Sequence, residues 1–177
     1  MTTKILIAGF GGQGILFAGK ALAYTGLKTG KEVSWLPSYG PEMRGGTANC
    51  SVTLSDDPIG SPIVDKPNVL IAMNLPSLEK YYGEAEPKGY IIFDSSLITK
   101  QDTRDDVITV GIPATRLASD NGLDGLANMI ILGKTVKETG ILTLEQIESS
   151  LSQMVPAKKA ELLAKNIKAI ELGYNYR

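Results

Sequence analysis

A three-layer α/β domain, built on a Rossmann-like, mostly parallel sheet with an antiparallel edge strand, is the fold class this sequence predicts. Three observations carry it. Short apolar runs bounded by turn residues alternate with helical patterns along the chain. The first of these runs ends in glycines that open directly into a helix, at "GFGGQGI" (Gly9–Ile15). Finally, 177 residues that are 43% hydrophobic and 21% charged suit one compact domain, placed at residues 1–177.

Taken in order, Lys4–Phe10 reads as a strand buried on both faces, because it is continuously apolar and stops at glycine. Ile15–Leu27 carries apolar residues at helical spacing and ends on Gly26 and Gly30. Glu32–Leu36 is a second strand, broken by Pro37. Strand, glycine turn, helix and strand make one right-handed βαβ unit. Ala48–Leu54 alternates Asn49, Ser51 and Thr53 with Cys50, Val52 and Leu54, the pattern of a half-exposed antiparallel strand at an edge. A turn region at Ser55–Pro62 precedes strand Val69–Met73 and a helix from Pro76 to Tyr82. Tyr90–Asp94 and Val107–Ile112 complete about six strands, and helices follow at Pro113–Ser119, Leu126–Glu138, Thr143–Met154 and Lys158–Leu172. Thr143 and Gln146 fit a capping box, and Gly173 fits a C-terminal cap.

Composition removes several function classes. Eighteen basic and nineteen acidic residues give a net charge of −1, with no cationic stripe for nucleic acid. The apolar runs are too short and too interrupted for a membrane span, and Met1-Thr2-Thr3-Lys4 has no leader character. One cysteine, Cys50, excludes an internal disulfide and a self-contained Cys-ligated cluster, so a cytoplasmic protein is expected. Histidine is absent altogether, which removes Ser-His-Asp and Cys-His catalysis and His-bearing zinc sites from this chain.

Two glycine-rich stretches carry the functional signal. Gly9-x-Gly11-x-x-Gly14 lies between a strand and a helix, where glycines admit a phosphate to the helix N-terminus. The second strand nevertheless ends Leu36-Pro37-Ser38, without the acid that would hold a nicotinamide ribose or an arginine for a 2′-phosphate. The turn therefore either binds some other anionic group or only lets helix and strand pack closely. The second stretch, "SYGPEMRGGTAN" (Ser38–Asn49), has neither helical nor strand periodicity. Arg44, flanked by Gly45 and Gly46, brings a guanidinium fork and free N–H groups to a phosphate or carboxylate, or else pairs with Glu42 to order the loop. Tyr39 either stacks on a flat ligand group or anchors the loop, and Asn49 serves a polar site if its strand faces the cleft. Gln13 donates to a ligand oxygen or is solvated; Asn128, at the head of an apolar helix, needs partners in a neighbouring loop or a ligand. Cys50 reads as core rather than as a working thiol, and Asp94 as a turn cap at the sheet's carboxyl edge. Met43 and Trp35 are either interface anchors or, for Trp35, core.

Four stretches, "GFGGQGI" (Gly9–Ile15), "PSYGPEMRGGTANCSV" (Pro37–Val52), "NMIILG" (Asn128–Gly133) and "KNIKAIELGY" (Lys165–Tyr174), resemble the gamma subunit of the 2-oxoacid:ferredoxin oxidoreductases. That subunit is equivalent to one domain of the single-chain pyruvate:ferredoxin oxidoreductases. The resemblance covers essentially the whole chain and is greatest to the 2-oxoglutarate and branched-chain members. It implies a complex that decarboxylates a 2-oxoacid on thiamine diphosphate with Mg, passes electrons through iron–sulfur clusters to ferredoxin and gives the acyl group to coenzyme A. Its implied partners are alpha and beta subunits, and in some members a ferredoxin-like delta subunit. The cofactor-contacting positions it suggests are Gly11, Gly12, Gln13, Gly14, Tyr39, Glu42, Arg44, Gly45, Gly46 and Asn128, with Glu42 near a thiamine ring or simply solvated. The resemblance implies that thiamine diphosphate is held by other subunits and that this chain alone is inactive. A free-standing NAD(P) dehydrogenase and a non-catalytic assembly subunit are the competing expectations.

Overall fold

Apolar runs at Ile5–Ala8, Val69–Ala72 and Ile91–Phe93 form the buried centre of one six-stranded sheet. The computed structural model describes residues 1–38, 47–99 and 103–177. Strands β1 (Thr2–Phe10), β2 (Glu32–Ser38), β3 (Thr47–Ser55), β4 (Val69–Ala72), β5 (Tyr90–Asp94) and β6 (Ile108–Ile112) are ordered β2-β3-β1-β4-β5-β6. β1, β4, β5 and β6 run parallel, whereas β3 is antiparallel to both β1 and β2. The helices are α1 (Ile15–Lys28), α2 (Leu75–Tyr81), α3 (Ala114–Asp120), α4 (Ala127–Thr139), α5 (Leu144–Met154) and α6 (Ala160–Asn175).

The two faces of the sheet are covered unequally. Ile5, Ile7, Cys50, Val52, Ile71 and Ile92 meet α1, α3, α4, α5 and α6 in the larger core. Leu6, Leu70, Ile91 and Phe93 meet α2 and the flanking Val64 and Ile98 in a smaller one. Thr143 caps α5 through the reciprocal capping box expected from the sequence, with its Oγ1 accepting from Gln146 N and Gln146 Oε1 accepting from Thr143 N. No helix among the described residues is long and apolar enough to cross a membrane.

Several local expectations change. β3 is antiparallel, but it is inserted between β1 and β2 instead of lying outermost, so the edge belongs to β2. Its alternation does separate two faces, yet Ser51, Thr53 and Ser55 are buried, and Thr53 and Ser55 line one pocket with Pro58–Ser61 of the turn region. β1 and β2 point the same way without pairing, so the predicted βαβ unit spans an intervening strand. Pro37 does not break β2, which continues to Ser38; an edge strand has a side on which the missing N–H costs no ladder bond. Gly173 is not a C-cap. α6 runs on to Asn175, and Gly173 is buried where α6 crosses α4, with the Ile130 carbonyl filling the place a side chain would need. Trp35, on the edge strand, is 36% exposed instead of enclosed in the core.

Candidate functional site

The topology switches direction between β1 and β4. The chain leaves β1 through the glycine turn to α1 on one face, and leaves β4 through Asn74 to α2 on the other. Such a switch opens a crevice at the carboxyl edge of an α/β sheet. Gly11 and Gly12 are exposed there, and Gly12 and Gly14 take φ of +88° and +72°, values that side-chain-bearing residues rarely adopt. α1 begins after Gly14 with no side-chain cap and no acidic residue in its first turn. Its ladder opens with Ala18 N donating to Gly14 O at 3.1 Å, so the N–H groups of Ile15–Phe17 precede it. An uncapped helix start of this kind favours an anion.

Gln13 is half-buried, and both ends of its amide are taken by backbone groups. Its Oε1 accepts from Phe10 N at 2.6 Å, and its Nε2 donates to Met73 O at 3.2 Å. Asn128, 4% exposed at the head of α4, donates through Nδ2 to Gly14 O at 3.1 Å, the neighbouring-loop partner expected for it. Among the described residues its Oδ1 has no hydrogen-bond partner. Asp94 is fully buried and caps, as expected: Oδ1 accepts from Ser96 N at 3.0 Å, and Oδ2 from Thr115 N at 3.1 Å and Thr115 Oγ1 at 2.5 Å.

Strand register places the second stretch. Phe10 faces Thr47 across β1–β3, and Ser38 faces Asn49 across β2–β3. Ser38 and Thr47 therefore lie at the same sheet edge as the glycine turn. Tyr39, Glu42, Met43, Arg44, Gly45 and Gly46 fall outside the described residues. Of the remaining site positions, Gly11, Gly12, Gln13, Gly14 and Asn128 come together.

Two features were not found from sequence. A cleft of about 590 Å³ opens on the thinner face beside Ser38, lined by Leu36, Asn49, Ser51, Ile63, Lys80 and Tyr81. Asn49 Nδ2 donates to Tyr81 Oη at 3.1 Å across it, so Asn49 does face a cleft. A second cleft of about 360 Å³ lies beside the turn, among Gly12, Gln13, Met73, Leu97, Thr115 and Ser119. Asn74, which caps α2 by accepting from Ser77 N at 2.9 Å, was legible as an Asn two residues before a proline, but the lateral reach of Tyr81 to β3 had no local signal.

Cys50 does not fit an iron–sulfur ligand. It is fully buried, burial pushes its thiol up to about 12 with a Trp35 hydrogen bond only partly offsetting this, and one protonated thiol falls short of the set of thiolates that a cluster takes. Among the described residues no three acidic or sulfur side chains gather to hold a metal. Nor does the fold favour a dinucleotide: β3 stands beside β1 where a second parallel strand would bring an acid to the ribose.

Residues 4–176 match the family model described as pyruvate ferredoxin/flavodoxin oxidoreductase. The 2-oxoglutarate synthase subunit KorC of Methanocaldococcus jannaschii is 36% identical over 98% of this chain and 93% of its own length. The ketoisovalerate oxidoreductase subunit VorA of Methanothermobacter marburgensis is 35% identical over 98% of this chain but 36% of its own, so this chain spans about a third of that relative. Among solved structures, the gamma subunit of a keto/oxoacid ferredoxin oxidoreductase from Geobacter sulfurreducens superposes with a TM-score of 0.83 at 28% identity, over 97% of this chain and 96% of that one. A 2-oxoglutarate:ferredoxin oxidoreductase from Magnetococcus marinus, with 2-oxoglutarate, coenzyme A and succinyl-CoA bound, superposes with a TM-score of 0.87 at 25% identity, over 97% of this chain and 30% of that one.

Proposed function

The chain belongs to the pyruvate ferredoxin/flavodoxin oxidoreductase family, and we propose that it works as the separate gamma subunit of a 2-oxoacid:ferredoxin oxidoreductase acting on 2-oxoglutarate. The observation that carries this reading is coverage: the chain aligns with KorC over nearly the whole of both, and with VorA over only part of the latter. The complex oxidatively decarboxylates the 2-oxoacid to an acyl-CoA and reduces ferredoxin, in the cytoplasm. Thiamine diphosphate, Mg and the iron–sulfur clusters reside in partner subunits, alpha, beta and a ferredoxin-like delta chain, and the isolated gamma chain is inactive.

This chain's contribution is an anion-binding edge facing coenzyme A and the neighbouring subunits. The uncapped start of α1 and the exposed Gly11 and Gly12 support it, as does the Phe10–Thr47 register that brings the exit of the second segment beside them. Within that segment, Arg44 with Gly45 and Gly46 supplies the fixed positive charge, and Tyr39 and Glu42 flank it.

The test is to co-express the chain with its partner subunits and measure coenzyme A-dependent ferredoxin reduction. A kcat/KM at least about tenfold higher for 2-oxoglutarate than for pyruvate or a branched-chain 2-oxoacid is expected; a preference for either of the others overturns the substrate assignment. Arg44→Ala should raise the KM for coenzyme A by about tenfold or more with assembly intact. A weakened complex with unchanged kinetics overturns ligand contact and makes the segment a subunit-docking element.

A further inference from the structure

Among the described residues nothing within 4 Å of Gly12 would obstruct a Cβ, and its φ of itself favours glycine. Gly9 differs: a Cβ there would lie 2.6 Å from Gln13 Oε1 and 2.8 Å from both Ile15 Cδ1 and Met73 Cβ. The first glycine of the motif thus makes room for the side chain of Gln13, which folds back under its own turn.

We propose that Gln13 is a positioning residue: it fixes the outward-facing backbone of Gly11 and Gly12 toward an anionic ligand without touching that ligand. This rests on the reading of the turn as facing coenzyme A. Both polar ends of the amide are used inside the protein. Oε1 holds Phe10 N, at the last residue of β1, and Nε2 holds Met73 O, just past the end of β4. Met73 N in turn donates to Ala8 O at 2.8 Å, so the staple ties the turn to a backbone already locked to β1. Asn128 secures the far end of the same turn through Gly14 O. The turn is held at both ends by side-chain amides, while the glycines between them project into solvent. Ordering those N–H groups before binding removes an entropic cost that a loose glycine loop would meet with each ligand.

The choice of an amide over a carboxylate follows from the same geometry. A glutamate would still accept from Phe10 N, but it has no donor for Met73 O and would set a negative charge beside an anion-binding helix start.

The experiment compares Gln13→Met, Gln13→Glu and Gly12→Ala in the assembled complex, following KM for coenzyme A, KM for the 2-oxoacid and kcat at saturating coenzyme A. Gln13→Met is expected to raise the coenzyme A KM about tenfold and Gln13→Glu further still, with the 2-oxoacid KM within about twofold of wild type. Amide exchange should accelerate in the peptide covering Phe10–Gly14 and nowhere else; this readout holds whatever the variant's activity. Unchanged coenzyme A KM in both Gln13 variants, a fall in kcat alone, or a loss of protection across the whole chain overturns the proposal. Gly12→Ala separates its failure from that of the underlying reading. If that variant leaves the coenzyme A KM unchanged, the turn does not face coenzyme A and both fall. If it raises the KM while the Gln13 variants do not, only the positioning role falls.

Discussion

The backbone carbonyl of Ile130 in α4 occupies the space where Gly173 in α6 would carry a side chain, and the Ile170 carbonyl does the same opposite Gly133. The two helices therefore cross in backbone contact, glycine against carbonyl on each side. In most helix interiors alanine is favoured over glycine by about 1 kcal/mol. Here the sign reverses, because neither backbone can yield without moving a helix. Gly173→Ala is expected to destabilise the protein by about 2–4 kcal/mol, measured as a lowered urea midpoint with the m-value preserved. A neutral or stabilising result would show that the crossing is looser than the geometry states.

Cys50 lies beneath α1, its Sγ filling the space above Gly19. With its thiol pushed up to about 12, chiefly by burial, it carries almost no thiolate at pH 8. Alkylation by iodoacetamide should be slower in the native protein than in urea by on the order of a thousandfold. Native labelling at the unfolded rate would contradict the burial.

Glu148 on α5 has an Oε1 sealed from solvent with no donor facing it among the described residues. Burial first, then the neighbouring Glu171 carboxylate and Glu145, hold its carboxyl above the ordinary 4.5. The folded state thus binds this proton more tightly than the unfolded chain. The stability gained is complete below pH 4.5 and is lost as pH rises through the raised value. Glu148→Gln mimics the protonated form, and should raise Tm by roughly 2 °C at pH 7.5 with the gain vanishing below about pH 4.5. A gain that persists at pH 4 would assign the effect to packing.

Asp94 joins β5, the turn after it and α3 through three accepted hydrogen bonds in a fully buried setting. Asp94→Asn turns one accepting oxygen into a donor facing either Ser96 N or Thr115. The expected cost is about 1–3 kcal/mol by chemical unfolding, largely recovered in no single partner variant, since Thr115→Val leaves the backbone donors in place.

What was legible in the sequence was what is local. The glycine turn, the capping box of Thr143 and Gln146, and the buried runs around Ile5, Val69 and Ile91 each declare themselves within a few residues. β3 did not, because its place between β1 and β2 depends on partners far away in the chain, and its alternation is compatible with an edge or an interior position. Ser51 and Thr53 suggested exposure, yet both are buried in the fold. Gly173 matched a stop signal because a glycine at a helix–helix contact and one at a cap look identical in a single sequence. Asn128 was legible as an amide needing a neighbouring loop, and Gln13 as a polar group in the right place, but the sequence carried no sign that both ends of the Gln13 amide are spent on Phe10 and Met73.

The insertion of β3 also bears on how the molecule assembles. The β2–β3 pairing joins near neighbours in the chain, whereas docking β3 on β1 joins residues much farther apart and is the contact of higher order. That docking is also what sets Phe10 beside Thr47. The carboxyl edge that carries the glycine turn is therefore built by the same pairing that ties this side of the sheet together, so a change that loosens β3 from β1 also draws Thr47 away from Phe10.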